Sequence, residues 1–196
     1  FIYAVDRYVA YSQNRTSIRS VAWPAVKQIL DGYRRGTRYN IHMDEGDGLI
    51  AGGTLGTQLT WMDAKIGDWV VTPRSGKPVE IQALWIRALD VGARLAAEFG
   101  ESEYALGCLK DRLQAVESFR KRFWYEDGMY LYDTIDGPEG DDLSIRPNQV
   151  YAISLCDDLL TKEQAKQVLC TIKDHLLTPV GLRTLSPQDS RYRPQY

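Results

Sequence analysis

An apolar-all-round helix followed by a one-faced helix is the pattern that most limits how this chain can fold. Pro78 opens a run in which Val79, Ile81, Ala83, Leu84, Trp85, Ile86, Ala88, Leu89 and Val91 leave almost no polar side, and Gly100 closes it after Phe99. Such a helix has to be covered on both sides. The next run, Ser102 to Phe123, carries a single stripe of Leu106, Leu109, Leu113, Val116 and Phe119, with Lys110, Asp111, Arg112, Glu117, Arg120 and Lys121 over the rest. One of its faces is expected to be wet. The order then repeats. Pro147 opens a nearly uncharged helix to Leu155, and Thr161 caps an amphipathic one (Ala165, Val168, Leu169, Ile172, Leu176), with Gln164 completing a capping box. Near the start, Phe1, Val5 and Tyr8 recur at helical spacing. A second helix runs from about Ala22 to Arg35, with Pro24 in its first turn and Val26, Ile29, Leu30 and Tyr33 on one face.

Alternating inner and outer helices predict an all-α toroid of helical hairpins, whose inner ring lines a funnel while its outer ring meets water. Long loops lead into two inner helices, Thr37 to Lys77 and Ile135 to Arg146, and are expected to meet at one end of that funnel. Loops beyond about 12–15 residues are uncommon unless they bind or catalyse something. "WYEDGMYLYD" (Trp124 to Asp133) reads as a small β-hairpin with Asp127-Gly128 at a type I′ turn. The chain starts without Met inside a helical pattern and is expected to be a fragment of one longer domain, with no second domain in residues 1–196.

Composition removes several functions. A net charge of −2 without a long basic run gives no footprint for nucleic acid or a membrane surface. No apolar stretch approaches the ~20 residues of a membrane span. Cys108, Cys156 and Cys170 have no C-x-x-C spacing and are expected to be reduced and buried, which fits a cytoplasmic location. His42 and His175 lie far apart with no metal spacing, and "DEGDG" places Gly46 and Gly48 where a calcium loop needs oxygen ligands, so no metal and no cofactor are expected. Phosphate-loop, G-x-G-x-x-G and G-x-S-x-G motifs are absent.

What remains is carboxylates in aromatic loops. A glycosidase needs one protonated acid to donate to the leaving oxygen and one base or nucleophile across the sugar. Apolar surroundings disfavour the charged form and keep such an acid protonated near neutral pH. Asp63, in "QLTWMDAKIGDW" between Trp61, Met62 and Trp69, has that setting. Lys65 is expected to point away from it, since contact would lower the acid's pKa.

"TWMDAKIGDWVVTPRSGKPVEIQALW" (Thr60 to Trp85), "DLSIRPNQVYAISL" (Asp142 to Leu155) and "LLTPVGLRTLSPQDSRY" (Leu176 to Tyr192) resemble the C-terminal glucosidase domain of the glycogen debranching enzymes, the amylo-α-1,6-glucosidases, and so does "RRGTRYNIHMDEGDGLI" (Arg34 to Ile50). The resemblance implies an (α/α)6 barrel, of which the six helices read here are about half. It also implies inverting hydrolysis of α-1,6-linked glucose at a branch point, with Asp63 as the general acid and a Glu outside this chain as the base. The implied partner is an α-glucan, an oligo- or polysaccharide. A half-ring would also be expected to self-associate through its open side. Further candidates for substrate contact each have a second reading. Glu80 hydrogen-bonds a sugar hydroxyl or complements the helix dipole, and is the in-chain alternative for a second carboxylate. Arg146, Asn148 and Gln149 point polar groups into the funnel or anchor the loop. Trp61 and Trp69 stack on sugar or fill core. Arg183 faces the pocket or pairs with Asp189. A non-catalytic glycan-binding or scaffolding domain, or a glucosidase of other linkage specificity, is the alternative function.

Overall fold

A computed structural model of the protein describes residues 1–12, 14–54, 56–62 and 64–194. Its helices are α1 (Ile2–Ser12), the three-residue α2 (Arg15–Ser17), α3 (Trp23–Arg35), α4 (Val79–Glu98), α5 (Ser102–Arg122), α6 (Val150–Leu155) and α7 (Lys162–Leu176). Small antiparallel sheets fill the connections between them. The apolar-all-round helix lies at the centre, since α4 packs against α1, α3, α5 and α6. At Gly92 a Cβ would come within 2.6 Å of Leu30 Cδ1 and 3.3 Å of Cys108 Sγ, so the missing side chain is what lets α3 and α5 close on α4.

Three expectations about buried faces are corrected. On α5 the buried residues are Ala105, Cys108, Ala115, Val116 and Phe119, while Leu106, Leu109 and Leu113 face outward. Val116 and Phe119 of the expected stripe are buried, but over the first turns close approach to α4 favours the small Ala105 and Cys108, and the larger leucines lie one row round the helix. On α1, Ile2, Val5, Asp6 and Val9 are buried, whereas Phe1 and Tyr8 are exposed. Cys170 is exposed, although Cys108 and Cys156 are buried.

Two local details also differ. Pro24 stands in the first turn of α3 as expected, but helical backbone already precedes it. Helical backbone begins after Asn14, whose side chain accepts from the Ser17 N–H, and passes through a π turn at Ile18–Ala22 in which the Trp23 N–H donates to the Ile18 carbonyl. A proline has no N–H and its ring crowds the carbonyl four residues back, and the wider turn just before it absorbs both. The hairpin of β6 (Trp124–Tyr125) and β7 (Tyr130–Leu131) forms as expected, but over a four-residue loop in which Met129, not Gly128, has the positive φ. Glycine is favoured at 128 by packing, because a Cβ there would collide with the Tyr130 and Tyr125 rings.

The remaining strands are β1 (His42–Met43), β2 (Ile50–Ala51), β3 (Lys65–Ile66), β4 (Trp69–Val70), β5 (Lys77–Pro78), β8 (Thr134–Gly137), β9 (Gly140–Asp142), β10 (Leu177–Thr178) and β11 (Gly181–Leu182). The sheet β5-β8-β9 is three-stranded. It pairs Lys77 with Ile135 and Pro78 with Thr134, and the Val79 N–H donates to the Asp133 carbonyl at 3.0 Å. The loop entering α4 and the hairpin preceding α6 are thereby joined at one end of the helices. Gln82, fully buried on α4, holds both the N–H and the carbonyl of Ile50, and Trp85 Nε1 donates to the Gly48 carbonyl. These bonds satisfy buried backbone groups of a loop that has little secondary structure of its own.

The acidic "DEGDG" loop takes its cation from within the chain. Lys77 Nζ lies 2.8 Å from Asp44, 2.7 Å from Asp47 and 3.0 Å from Asp136. Other carboxylates tie elements together. Burial pushes the Asp6 carboxyl up, but hydrogen bonds and charge from Arg94 and Arg87 on α4 outweigh it and hold the group below 3.8. Burial likewise raises Asp142, and Ser144 and Arg191 reverse the shift. A hydrogen bond from Arg191 lowers Asp189. A carboxylate whose folded pKa lies below its unfolded value stabilises the fold above the unfolded value and loses that contribution as the pH falls through the folded one. The urea midpoint is therefore expected to hold near neutrality and fall steadily between about pH 5 and pH 2. A midpoint unchanged over that window would show that these pairs contribute nothing.

Candidate functional site

The Arg74 guanidinium is buried and fully engaged. Its side chain has no exposed surface, and those of Glu80 and Asp133 are 2% and 1% exposed. Nη1 and Nη2 donate to the two oxygens of Glu80, the second at 2.7 Å. Nε donates to Asp133 Oδ2 at 2.8 Å, Nη2 also reaches Asp133 Oδ1 and its carbonyl at 3.2 Å, and Nη1 donates to Thr60 Oγ1 at 3.2 Å. The planar fork with five N–H groups suits two carboxylates at once, which a lysine could not serve. Arg146 Nε lies 3.6 Å from Asp133 Oδ2, so two buried cations face two buried anions. Burial pushes the Asp133 carboxyl up, against the pull of Arg74, Arg146 and Asn148.

Asn148, in the 3₁₀ turn (Pro147–Gln149) that leads into α6 and without exposed surface, extends this network to the aromatic loop. Its Nδ2 donates to Asp133 Oδ1 at 2.8 Å and lies 3.1 Å from Met62 Sδ, while its Oδ1 accepts from Trp61 Nε1 at 3.1 Å. Thr60, Trp61 and Met62 are thus each fastened to groups at the entrances of α4 and α6. Asp63, the expected general acid, lies outside the described residues.

The remaining candidates divide. Trp61 and Trp69 are 60% and 61% exposed, so both rings are open to a ligand and neither fills core. Lys65 donates to the Gly56 carbonyl at 3.3 Å. The structure gives Glu80 a job other than sugar contact or service as a second carboxylate: both its oxygens are taken by Arg74, although it still stands in the first turn of α4 where an acid suits the dipole. Gln149 is buried, accepting from the Leu131 N–H and donating to the Arg146 carbonyl, which is an anchoring role. Arg146 is buried and donates to the Thr184 carbonyl. Arg183 is exposed, and the partner of Asp189 is Arg191 at 2.9 Å. Arg74 and Asp133 are the organising residues that the sequence reading passed over. Arg74 sits in "TPRSGKP", within the stretch Thr60 to Trp85, yet nothing local marks it as buried.

Beside this network a cleft of about 560 Å³ lies between Pro73–Ser75, the β8–β9 hairpin with the segment after it, and Ser186–Arg191. Gly56, from the same loop as Thr60 to Met62, reaches its edge.

Comparison with known proteins agrees with this arrangement of loops on helices. A crystal structure of a GH78 family rhamnosidase of Bacillus sp. GL1 superposes with a TM-score of 0.65 at 20% identity, covering 93% of this chain and 17% of that one, which establishes likeness of fold. The glycogen debranching enzyme of Saccharomyces cerevisiae is 29% identical over an alignment covering 83% of this chain. The chain spans 13% of the length of that relative. The profile of the family described as Amylo-alpha-1,6-glucosidase matches residues 1–196 without interruption, and the chain belongs to that family.

Proposed function

We propose that this chain forms part of the catalytic domain of a glycoside hydrolase that removes α-1,6-linked glucose from branched glucans with inversion, acting in the cytoplasm. Asp63 protonates the bridging oxygen, and a carboxylate outside this chain activates water on the opposite face of the sugar. The helices would be about half of an (α/α)6 toroid, with α1, α4 and α6 on the inside and α3, α5 and α7 on the outside. Support for the inner set comes from the packing of α4 against both α1 and α6.

The observation that carries the catalytic assignment is the buried network of Arg74, Asp133 and Asn148. It fastens the three residues immediately before Asp63 to the entrances of two helices. A catalytic group has to be held to within a fraction of an ångström, and supporting hydrogen bonds to its neighbours do this. The Trp61 and Trp69 rings, both exposed, offer flat apolar surfaces to a sugar ring.

The test is the full-length protein on a branched limit dextrin, with the fresh product followed by proton NMR. Free glucose should appear first as the β-anomer, because inversion of an α-linkage by a water placed between two carboxyls gives that product. Initial release of the α-anomer would overturn inversion, and no release of glucose would overturn the hydrolase reading.

A further inference from the structure

The Asn148 side chain has a direction, and its neighbours impose it. An amide carries donors at one end and an acceptor at the other. This one is fully buried, so bulk water cannot supply a missing partner. Nδ2 donates to Asp133 Oδ1 at 2.8 Å, and Oδ1 accepts from Trp61 Nε1 at 3.1 Å. An indole N–H only donates. Turning the amide over would set its oxygen against the Asp133 carboxylate and its nitrogen against the indole N–H, so that both contacts would join like poles.

The direction originates at Arg74. A guanidinium has no acceptor, and this one reaches both Asp133 oxygens, Oδ2 from Nε at 2.8 Å and Oδ1 from Nη2 at 3.2 Å. Arg146 Nε adds a second cation 3.6 Å from Oδ2, while Glu80 takes another edge of the same Arg74 guanidinium. The groups that reach the buried Asp133 carboxylate are thus N–H donors, and both its oxygens are held as acceptors. The order of donors and acceptors runs from Arg74 through Asp133 and Asn148 to an indole whose ring is open to solvent. An exposed side chain on a loop samples several rotamers unless a bond selects one. The bond at Nε1 ties this ring to the buried network.

We propose that Asp133 is a positioning residue for the hydrolysis: its carboxylate sets the direction of the Asn148 amide, and the amide fixes the Trp61 indole and the segment that leads into Asp63. Proton donation by Asp63 rests on the function proposed above. Asp133 itself touches no substrate in this role.

The experiment measures kcat/KM of the full-length protein on a branched limit dextrin and on α-glucosyl fluoride, whose fluoride leaves without a proton. Asp133→Asn keeps the shape of the side chain and turns one acceptor into a donor. Arg74 retains the remaining oxygen, so the new amide nitrogen meets Asn148 Nδ2, the Asn148 amide turns over and the indole is released. Release of glucose from the dextrin is expected to fall roughly 10- to 100-fold, as for a displacement of about 1 Å, and release from the fluoride less than about 3-fold. Trp61→Phe keeps an aromatic ring and deletes the N–H. It should lose as much on the dextrin, and adding Asp133→Asn to it should cost less than about 3-fold more, because residues acting through one another are not additive. Exchanging the pair, Asp133→Asn with Asn148→Asp, restores a donor facing an acceptor between the two residues and at the indole, and should recover most of the dextrin activity. Should Asp133→Asn fail to fold, Asn148→Leu carries the same expectations for the two substrates and for the Trp61→Phe background, since it leaves both carboxylates on Arg74. Wild-type rates in Asp133→Asn, equal losses on the two substrates, losses that multiply in the Trp61→Phe background or no recovery in the exchanged pair would overturn the proposal. No glucose from the wild type would overturn the hydrolase reading, and this proposal with it.

Discussion

Replacing Asp63 with asparagine is expected to lower glucose release from a branched limit dextrin by roughly 10²- to 10⁴-fold in the full-length protein, the usual contribution of a general acid. Asparagine has nearly the same shape but cannot give up a proton, and a sugar alkoxide is too poor a leaving group to depart without one. The loss should depend on the leaving group. With α-glucosyl fluoride, where fluoride departs unprotonated, Asp63→Asn should retain most of the wild-type rate. A variant damaged in structure would lose both activities together. Near-normal turnover of the dextrin would remove Asp63 from the mechanism, and an equal loss on both substrates would make its role one of shape.

Replacing Arg74 with methionine should destabilise the protein by about 3–5 kcal/mol, the cost of breaking a buried ion pair from one side. The loss follows from burial. Both Glu80 oxygens and both Asp133 oxygens accept hydrogen bonds from a guanidinium with no exposed surface, and no water can take its place without opening the core. Arg146 at 3.6 Å from Asp133 can compensate only one of the two acids. The pH dependence supplies a second readout. Burial already holds the Asp133 carboxyl up with Arg74 in place, and without Arg74 it rises further; such a group stabilises the fold below its unfolded pKa and loses that contribution as the pH rises through the folded one. The deficit in urea unfolding free energy should therefore grow between about pH 4 and pH 7. Adding Glu80→Gln and Asp133→Asn should recover part of it, since the triple variant buries no uncompensated charge. A deficit under about 1 kcal/mol, or one independent of pH, would mean that the acids are protonated or hydrated in the folded protein.

Local order was legible wherever it depended on neighbours a few residues away. The capping box of Thr161 and Gln164, the burial of most of α4 and the hairpin at Trp124 to Leu131 needed only residues within a turn or a strand pair.

Choices among adjacent rows and distant partners were not legible. On α5, Leu106, Leu109 and Leu113 are more hydrophobic than Ala105 and Cys108, yet the smaller row is buried. Hydrophobicity alone does not encode how closely α4 approaches, and that distance decides which row fits. Glu80 read as a free carboxylate because its partner, Arg74, lies in a loop whose backbone path sequence does not predict. Asn148 and Trp61 are 87 positions apart, and Arg74 and Asp133 are 59 apart. The sequence by itself determined the order of buried and half-buried helices, the caps that bound them and the family. Only the tertiary structure decided that one arginine would hold two acids beneath the Thr60 to Met62 turn, because such a bond exists only after the pairing of β5 with β8 has brought the two loops together.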